Sequence, residues 1–554
     1  MADTVREIER KYETGDENGA GPALPPDLGG VPGVAAVTDR GTAELDAVYY
    51  DTTDRRLAAA GITLRRRTGG QDAGWHLKLP VAPGVRDEIR APLSPDVPRA
   101  LTDLVRSRIR HSGLQPLVRI RSRRDVRHLL DADGTLLAEA SADTVTADLL
   151  TPGGRTAHWT EYEIELAPDG DPGFLDTVEP HLREAGLRPS DAPSKLARAL
   201  AETRPAPKSG RKPPENGTKP LRNGRKPLKD EGKLSKGERK PAKDGKKPSK
   251  KERTRKSDTP RTAGDHVLAY LREQVEAVVA LDPAVRRDAE DSVHQMRVAT
   301  RRLRSAFRTY GKVLDRRATD PVADELKWLA AELGVDRDRE VLAERLRERL
   351  AELDTALVLG PVRARLRIWA AGRRKGSRKR LATVLDGDRY LALLDTLDAL
   401  LDDPPLRPAA ARPAGTVLAK AVLRDYGRLA ARVEHALATE PGPDRDTVLH
   451  DARKAAKRAR YAAEAATPAL GKPAKRFATR MKSVQTLLGD HQDSVMARGA
   501  LREIAGRAHT AGESTFTLGL LHGHEERLSA AYEAKLPKLW RKASRKRYRE
   551  ALGA

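Results

Sequence analysis

The sequence predicts a multidomain α+β protein, with an N-terminal antiparallel β-barrel and a C-terminal all-helical, duplicated domain. Three observations predict it. Residues 1–170 contain short runs that alternate charged and apolar side chains between Gly/Pro/Asp clusters, the pattern of half-buried strands. From residue 265 the chain turns to Ala, Leu, Arg and Glu at helical spacing. Between the two lies a Lys/Pro/Gly-rich stretch with almost no apolar side chains. Such a stretch cannot offset its ordering entropy. The expected organisation is a domain over 1–203, a basic disordered linker over 204–262 and a helical domain over 263–550. A chain of 554 residues is also too long for one ordinary core.

In order along the first part, "REIERKY" places Glu7, Glu9 and Lys11 on one strand face, because side chains two apart point the same way. "ITLRRR" groups Thr63, Arg65 and Arg67 against Ile62 and Leu64. "WHLKL" sets His76 and Lys78 opposite Leu77, and "VRDEIRAPL" aligns Arg86, Glu88 and Arg90. In "LVRIRSR", alternation aligns Arg119, Arg121 and Arg123 against Val118 and Ile120. "LLAEASADTV" carries Glu139, Ser141 and Asp143, and "WTEYEIELAP" carries Glu161, Glu163 and Glu165. One strand of this kind is an ordinary solvated edge. Several together, some Arg-x-Arg and others Glu-x-Glu, are explained by a sheet closed into a barrel with its charged face inward. The basic strands suit phosphate oxygens, and the glutamates suit a hard divalent cation such as Mg²⁺. These are the ingredients of phosphoryl transfer.

Glu7-x-Glu9-x-Lys11, followed by "YYDT" (Tyr49–Thr52), "LRRR", "EYEIEL" and "SKLARAL", resembles a CYTH domain of the triphosphate tunnel metalloenzyme superfamily over roughly residues 3–200. The resemblance implies an eight-stranded antiparallel tunnel that hydrolyses a triphosphate with Mg²⁺ or Mn²⁺. It implies metal ligands or water activators at Glu7, Glu9, Glu161, Glu163 and Glu165, and Lys11 beside the reacting phosphate. It implies phosphate clamps at Arg65, Arg67, Lys78 and Arg86, with a further family lysine at Lys195. Glu88 and Asp143 fall at acidic positions of the pattern. In "RIRSRRD", alternation favours Arg121 and Arg123 as tunnel residues, whereas the motif favours Arg124.

The helical part repeats itself. His294, Arg297, Arg301 and Arg304 in "VHQMRVATRRLR" recur as His450, Arg453, Lys457 and Arg460 in "LHDARKAAKRAR". At about 100° per residue each set falls within an arc of about 80°. "LGVDRD" (Leu333–Asp338) is echoed by "LGDHQD" (Leu488–Asp493). Solvated helices commonly alternate charge for i,i+4 pairing, whereas stacked cations repel unless an anion lies between them. No His/Glu pair shows the sequence spacing of a zinc site. This half resembles the CHAD domain over roughly 265–550, which implies two related four-helix bundles whose basic faces bind inorganic polyphosphate. CYTH followed by CHAD is a bacterial combination.

Composition narrows the function classes. The chain has no Cys, which excludes disulfides, thiolate nucleophiles and cysteine zinc sites. Its net charge of +24 points to a polyanionic partner. The charge is uneven: residues 1–200 hold 26 Lys/Arg against 32 Asp/Glu, and residues 201–264 hold 22 against 8. Non-specific polyanion contact through the linker is therefore expected. With 4% aromatic residues, the chain lacks the stacking platforms of single-strand nucleic-acid readers. No apolar h-region or run of about 18 apolar residues occurs, so the expectation is a cytoplasmic protein without membrane contact, with polyphosphate granules as a candidate location. The expected activity is metal-dependent hydrolysis of inorganic tripolyphosphate or a related triphosphate. The alternatives are a non-catalytic polyphosphate-binding protein, or an enzyme acting on ATP as an adenylate cyclase or on thiamine triphosphate.

Overall fold

Charged and apolar residues alternate along the N-terminal strands because the barrel they form is polar around its cavity and apolar where helices pack on it. The structure is a computed structural model that describes residues 3–14, 26–203, 262–334, 337–371 and 377–553. The stretch read as a linker, 204–262, lies outside the described residues except for Thr262, and so do Val335 and Asp336 of "LGVDRD".

The first part comprises β1 (Asp3–Thr14), β2 (Ala36–Asp51), α1 (Arg56–Ala59), β3 (Thr63–Thr68), β4 (Gly74–Ala82), β5 (Val85–Ala91) and α2 (Arg99–Ile109). It continues with β6 (Gln115–Leu130), β7 (Leu136–Leu149), β8 (Thr156–Leu166), α3 (Gly173–Glu184), β9 (Leu187–Pro189) and α4 (Lys195–Glu202). The sheet runs β5-β4-β3-β2-β6-β7-β8-β1-β9, and pairing of β1 with β5 closes eight antiparallel strands into a barrel. Gly84 turns β4 into β5 with φ 73°, and its carbonyl accepts from Glu9 N–H at 2.9 Å. A Cβ there would lie 2.9 Å from Glu9 O, so glycine allows the close approach.

Helices cover the outside. Leu64, Leu77 and Ile89 on β3–β5 pack on Leu57 of α1 and on Leu101 and Val105 of α2. Ala140, Tyr162 and Ile164 pack on Leu175, Val178 and Leu182 of α3. α4 differs: it packs inside one end of the barrel, where Val118, Ile120, Val145 and Trp159 meet its Leu196 and Ala199.

The second part is all helical: α5 (Ala263–Arg286), α6 (Ser292–Thr309), α7 (Arg316–Glu332), α8 (Arg337–Ala351), α9 (Val362–Ala371) and α10 (Ser377–Asp386). Then come α11 (Asp388–Asp402), α12 (Ala414–Ala438), α13 (Pro443–Leu470), α14 (Lys472–Thr510), α15 (Phe516–Ala543) and α16 (Lys546–Gly553). A capping box starts α5: Asp265 N–H donates to Thr262 Oγ1, and Thr262 N–H donates to Asp265 Oδ2. Both halves of the duplication feed each core. One core joins Leu271, Met296 and Leu394 to Val422, Phe477 and Trp540, and a second joins Leu346 and Trp369 to Leu501 and Leu521.

The barrel and the helices belong to one compact unit. Ser107 Oγ on α2 donates to Val279 O on α5 at 3.2 Å, and Arg108 pairs with Glu276 at 2.7 Å. Arg110, with φ 57°, donates to Asp395 and Asp398 on α11 at 3.2 and 2.8 Å. The sequence reading did not anticipate this contact. Among the described residues, no helix is long and apolar enough to cross a membrane.

Candidate functional site

Inside the barrel the strands converge on a cavity of about 290 Å³. Its lining includes Glu7, Glu9 and Lys11 from β1, Arg65 and Arg67 from β3, and Lys78 from β4. Arg86 and Glu88 of β5, Glu163 and Glu165 of β8, and Lys195 at the start of α4 complete this set of sequence-selected residues. Cations and carboxylates interlock. Lys78 Nζ lies 2.6 Å from Glu7, and Lys11 Nζ lies 3.1 Å from Glu9 and also pairs with Glu163. Lys195 Nζ lies 2.7 Å from Glu163 and 3.0 Å from Asp143. Burial opposes the charge of Glu9, yet Lys11, Lys78, Arg86 and Lys195 hold its carboxyl well below the usual range. Burial and the neighbouring guanidinium groups of Arg65 and Arg124 lower Arg67 to about 9.

Two expectations need correction. Arg121 and Arg123 lie on the outer face of β6, exposed, and Arg121 pairs there with Asp148 at 2.8 Å. Arg124 is the arginine of this run in the cavity, donating to Asp143 at 2.7 Å and Glu163 at 2.6 Å. The reason is local: at this end of the barrel the interior is apolar, so Val118 and Ile120 point inward against α4 and the intervening arginines point out. Strand alternation then brings Ser122 and Arg124 to the inside. Glu161 is buried beside the cavity, with Lys195 Nζ at 2.8 Å, Lys11 Nζ at 4.0 Å and Trp159 Nε1 donating to it at 2.7 Å. Arg124→Gln is expected to weaken binding of a triphosphate anion in the cavity roughly tenfold, the worth of one charge-assisted hydrogen bond. Arg121→Gln and Arg123→Gln should stay within about twofold of wild type in the same binding titration, as exposed substitutions do.

The donor set fits a hard divalent cation at one corner. Glu9 and Glu165 are cross-strand partners, and burial together with the charges of Glu7 and Glu9 pushes Glu165 up to about 7. Among the described residues, no three tunnel carboxylates bring oxygens within 4.8 Å of one another. That suits Mg²⁺, which commonly takes one or two carboxylates and completes its shell with substrate phosphate and water.

Sequence reasoning placed Glu139 on a charged strand face and Tyr49 in a family motif but gave neither a site role; both line the cavity. Tyr49 Oη accepts from Arg65 at 3.3 Å. It also gave no role to His76, which is buried and bridges Glu88 Oε1 and Asp72 O, each at 2.9 Å. The strand face of His76 with Lys78 was the available signal.

In the helical part, the two cation stripes meet across a second cleft of about 1120 Å³. His294, Arg297 and Arg301 of α6 line it together with His450, Arg453 and Lys457 of α13. A third wall, α8, adds Arg345, Arg349, Glu344 and Glu348. Arg304 and Arg460 fall outside this lining: offset 10 lies about 15 Å along the helix from each histidine. Arg460 lies 3.5 Å from Glu464 and over the Tyr461 ring. Burial, then the charges of Arg453 and Arg301, lowers Lys457 to about 8. Anion affinity of this cleft should therefore fall as pH rises through about 8, when Lys457 loses its proton, and Lys457→Arg should remove that step in a binding titration. The sign for stability is opposite. With its folded value below the unfolded one, Lys457 disfavours folding at lower pH, and that cost is relieved as pH rises from about 8 toward the usual lysine range.

A further cluster was invisible to spacing arguments. Asp446, His491 and Glu533 converge from α13, α14 and α15. Arg498 and Arg445 already pair with its two carboxylates, at 2.7 and 3.0 Å.

Comparison with known proteins agrees with this two-part architecture. Residues 6–199 match the CYTH domain model, and residues 269–502 match the CHAD domain model. An uncharacterized protein of Mycobacterium tuberculosis, found in each of two strains, is 38% identical over 553 residues, covering 96% of both chains. Among solved structures, PptA from Streptomyces chartreusis is 23% identical with a TM-score of 0.44, covering 50% of this chain and 99% of that one. The CHAD domain from the plant Ricinus communis is 25% identical with a TM-score of 0.42, covering 52% of this chain and 93% of that one. The chain belongs to the CYTH–CHAD family. CYTH superfamily members are triphosphate-acting enzymes, and the tunnel metalloenzymes among them use divalent metal ions.

Proposed function

We propose that the barrel hydrolyses inorganic tripolyphosphate with a divalent cation, Mg²⁺ or Mn²⁺, and that the helical domain binds inorganic polyphosphate. The observation that carries this reading is the cavity itself, where Lys11, Arg65, Arg67, Lys78, Arg86, Arg124 and Lys195 surround a set of buried carboxylates. Among the described residues Tyr49 is the one aromatic of the lining; it is buried, and its hydroxyl accepts from Arg65.

The residues divide the work. Arg65, Arg67, Lys78, Arg86 and Arg124 bind phosphate oxygens and neutralise charge as it develops on them. Lys11, between Glu9 and Glu163, stands where it can follow the reacting phosphoryl group. Glu7, Glu9 and Glu165 surround the place for the cation, one or two of them as direct ligands, and the cation would supply Lewis-acid polarisation of a phosphoryl oxygen when bound. Glu163, shared by Lys11, Lys195 and Arg124, orders the cations around it.

A second reading keeps the tunnel and changes the substrate. Leu136, Leu166, Ala167 and Pro168 add an apolar stretch to the lining, a surface suited to an organic group such as that of ATP or thiamine triphosphate. Phosphate and pyrophosphate release from tripolyphosphate, ATP and thiamine triphosphate, each with Mg²⁺ and Mn²⁺, separates the readings. Preference for tripolyphosphate supports the proposal, and preference for an organic substrate replaces it with the second reading. Polyphosphate binding without any release would leave a non-catalytic binder.

A further inference from the structure

The barrel closes along one seam, where β1 meets β5. Arg6 lies opposite Asp87 and Glu7 opposite Arg86. Alternation turns the Glu7–Arg86 pair into the cavity and the Arg6–Asp87 pair outward. The outward pair is held from outside the barrel. Arg6 Nε donates to Asp87 Oδ1 at 2.6 Å, and Arg287 Nη2, just after α5, donates to Asp87 Oδ2 at 2.9 Å. Burial opposes the charge of Asp87, and Arg287 with Arg6 keeps its carboxyl below the usual range.

Arg287 is itself well placed to hold. Its Nε donates to Pro283 O at 3.3 Å. The connection from Arg287 to α6 runs through Asp288 and Asp291, with φ 59° and 57°, and is therefore a defined tight turn. The α2–α5 contacts of Ser107 and Arg108 secure α5 to the barrel at a separate place.

We infer that Arg287 is a positioning residue, a latch through which the helical domain holds the barrel seam and with it the inward Glu7, Arg86 and Glu88. This rests on the reading of the tunnel as a metal-dependent triphosphate site. The physical reason is register. Glu7 and Arg86 are the immediate chain neighbours of the latched residues, and a one-residue slip of β1 on β5 would turn Glu7 outward and Arg6 inward. Any loosening of the seam displaces ligand groups directly, without passing through intermediate packing.

The test uses the full-length chain and compares Arg287→Ala with Arg108→Ala, which weakens the same inter-domain contact without touching β1 or β5. Hydrogen exchange is read at the amides of residues 4–8 and 85–89, and Mn²⁺ affinity is read from free-ion electron paramagnetic resonance. Arg287→Ala should speed seam exchange and weaken Mn²⁺ binding about five- to tenfold, in the range of coupled neighbouring residues. Arg108→Ala should change neither by more than about twofold. Arg287→Lys should restore most of the loss, and Asp87→Asn, which keeps the side-chain shape, should reproduce it in a chain of unchanged helix content. The inference is overturned if Arg287→Ala matches Arg108→Ala in either readout. Failure of the triphosphatase reading would show separately, as wild type that binds Mn²⁺ with an intact seam but releases no phosphate.

Discussion

Glu9→Gln is expected to lower tripolyphosphate turnover at least about 10²-fold, the usual cost of removing one electrostatic stabiliser from a preorganised site. The substitution keeps the side-chain shape and removes one negative charge from the corner shared with Glu7 and Glu165. Glu9 is buried, and its charge is compensated in the structure by Lys11 and Lys78. Its neutralisation therefore changes two things together: one cation ligand is weakened, and Lys11 loses a partner at 3.1 Å. Circular dichroism should be unchanged, because Lys11 retains Glu163. The half-saturating metal concentration should rise along with the loss of turnover. Wild-type turnover with unchanged metal dependence would show that Glu9 only balances charge.

Reversing Arg301 and Lys457 together to Glu is expected to weaken long-chain polyphosphate binding about a hundredfold. Each loses a charge-assisted contact worth roughly 1.5 kcal/mol or more. The two residues face one cleft from different helices, and the charge of Arg301 contributes to lowering the pKa of Lys457. A polyanion between them relieves that repulsion. The control is Arg367→Glu with Lys538→Glu, two exposed cations outside the cleft lining. It carries the same change in net charge, so generic attraction predicts equal losses from both pairs. Cleft recognition predicts a loss at least about tenfold greater for Arg301 and Lys457, together with a shallower salt dependence. Equal losses would reduce the stripes to ordinary surface charge.

Much of the tunnel was legible because strands have a period of two and each inward strand announces itself by charge. Glu7, Glu9 and Lys11, Arg65 and Arg67, and Arg86 and Glu88 each sit on one face by alternation alone, and all line one cavity. The rule failed on β6, where charge and inwardness part company. Val118 and Ile120 face the apolar end packed by α4, so the charged side of that stretch is the solvent side. Only the position of α4 along the barrel axis distinguishes an inward arginine from an outward one, and α4 is encoded some 70 residues later in the chain.

By itself the sequence determined the two architectures, the faces that carry charge and the repetition of the cation stripe, since all of these follow from local periodicity and composition. It could not determine what comes to face what. The meeting of α6 with α13 across a cleft walled by α8, the convergence of Asp446, His491 and Glu533, and the grip of Arg287 on Asp87 each join residues far apart in the chain. Such contacts are selected by how helices bury their apolar faces in shared cores, to which both halves of the duplication contribute. That choice belongs to packing among many elements at once, and no period in a single segment records it.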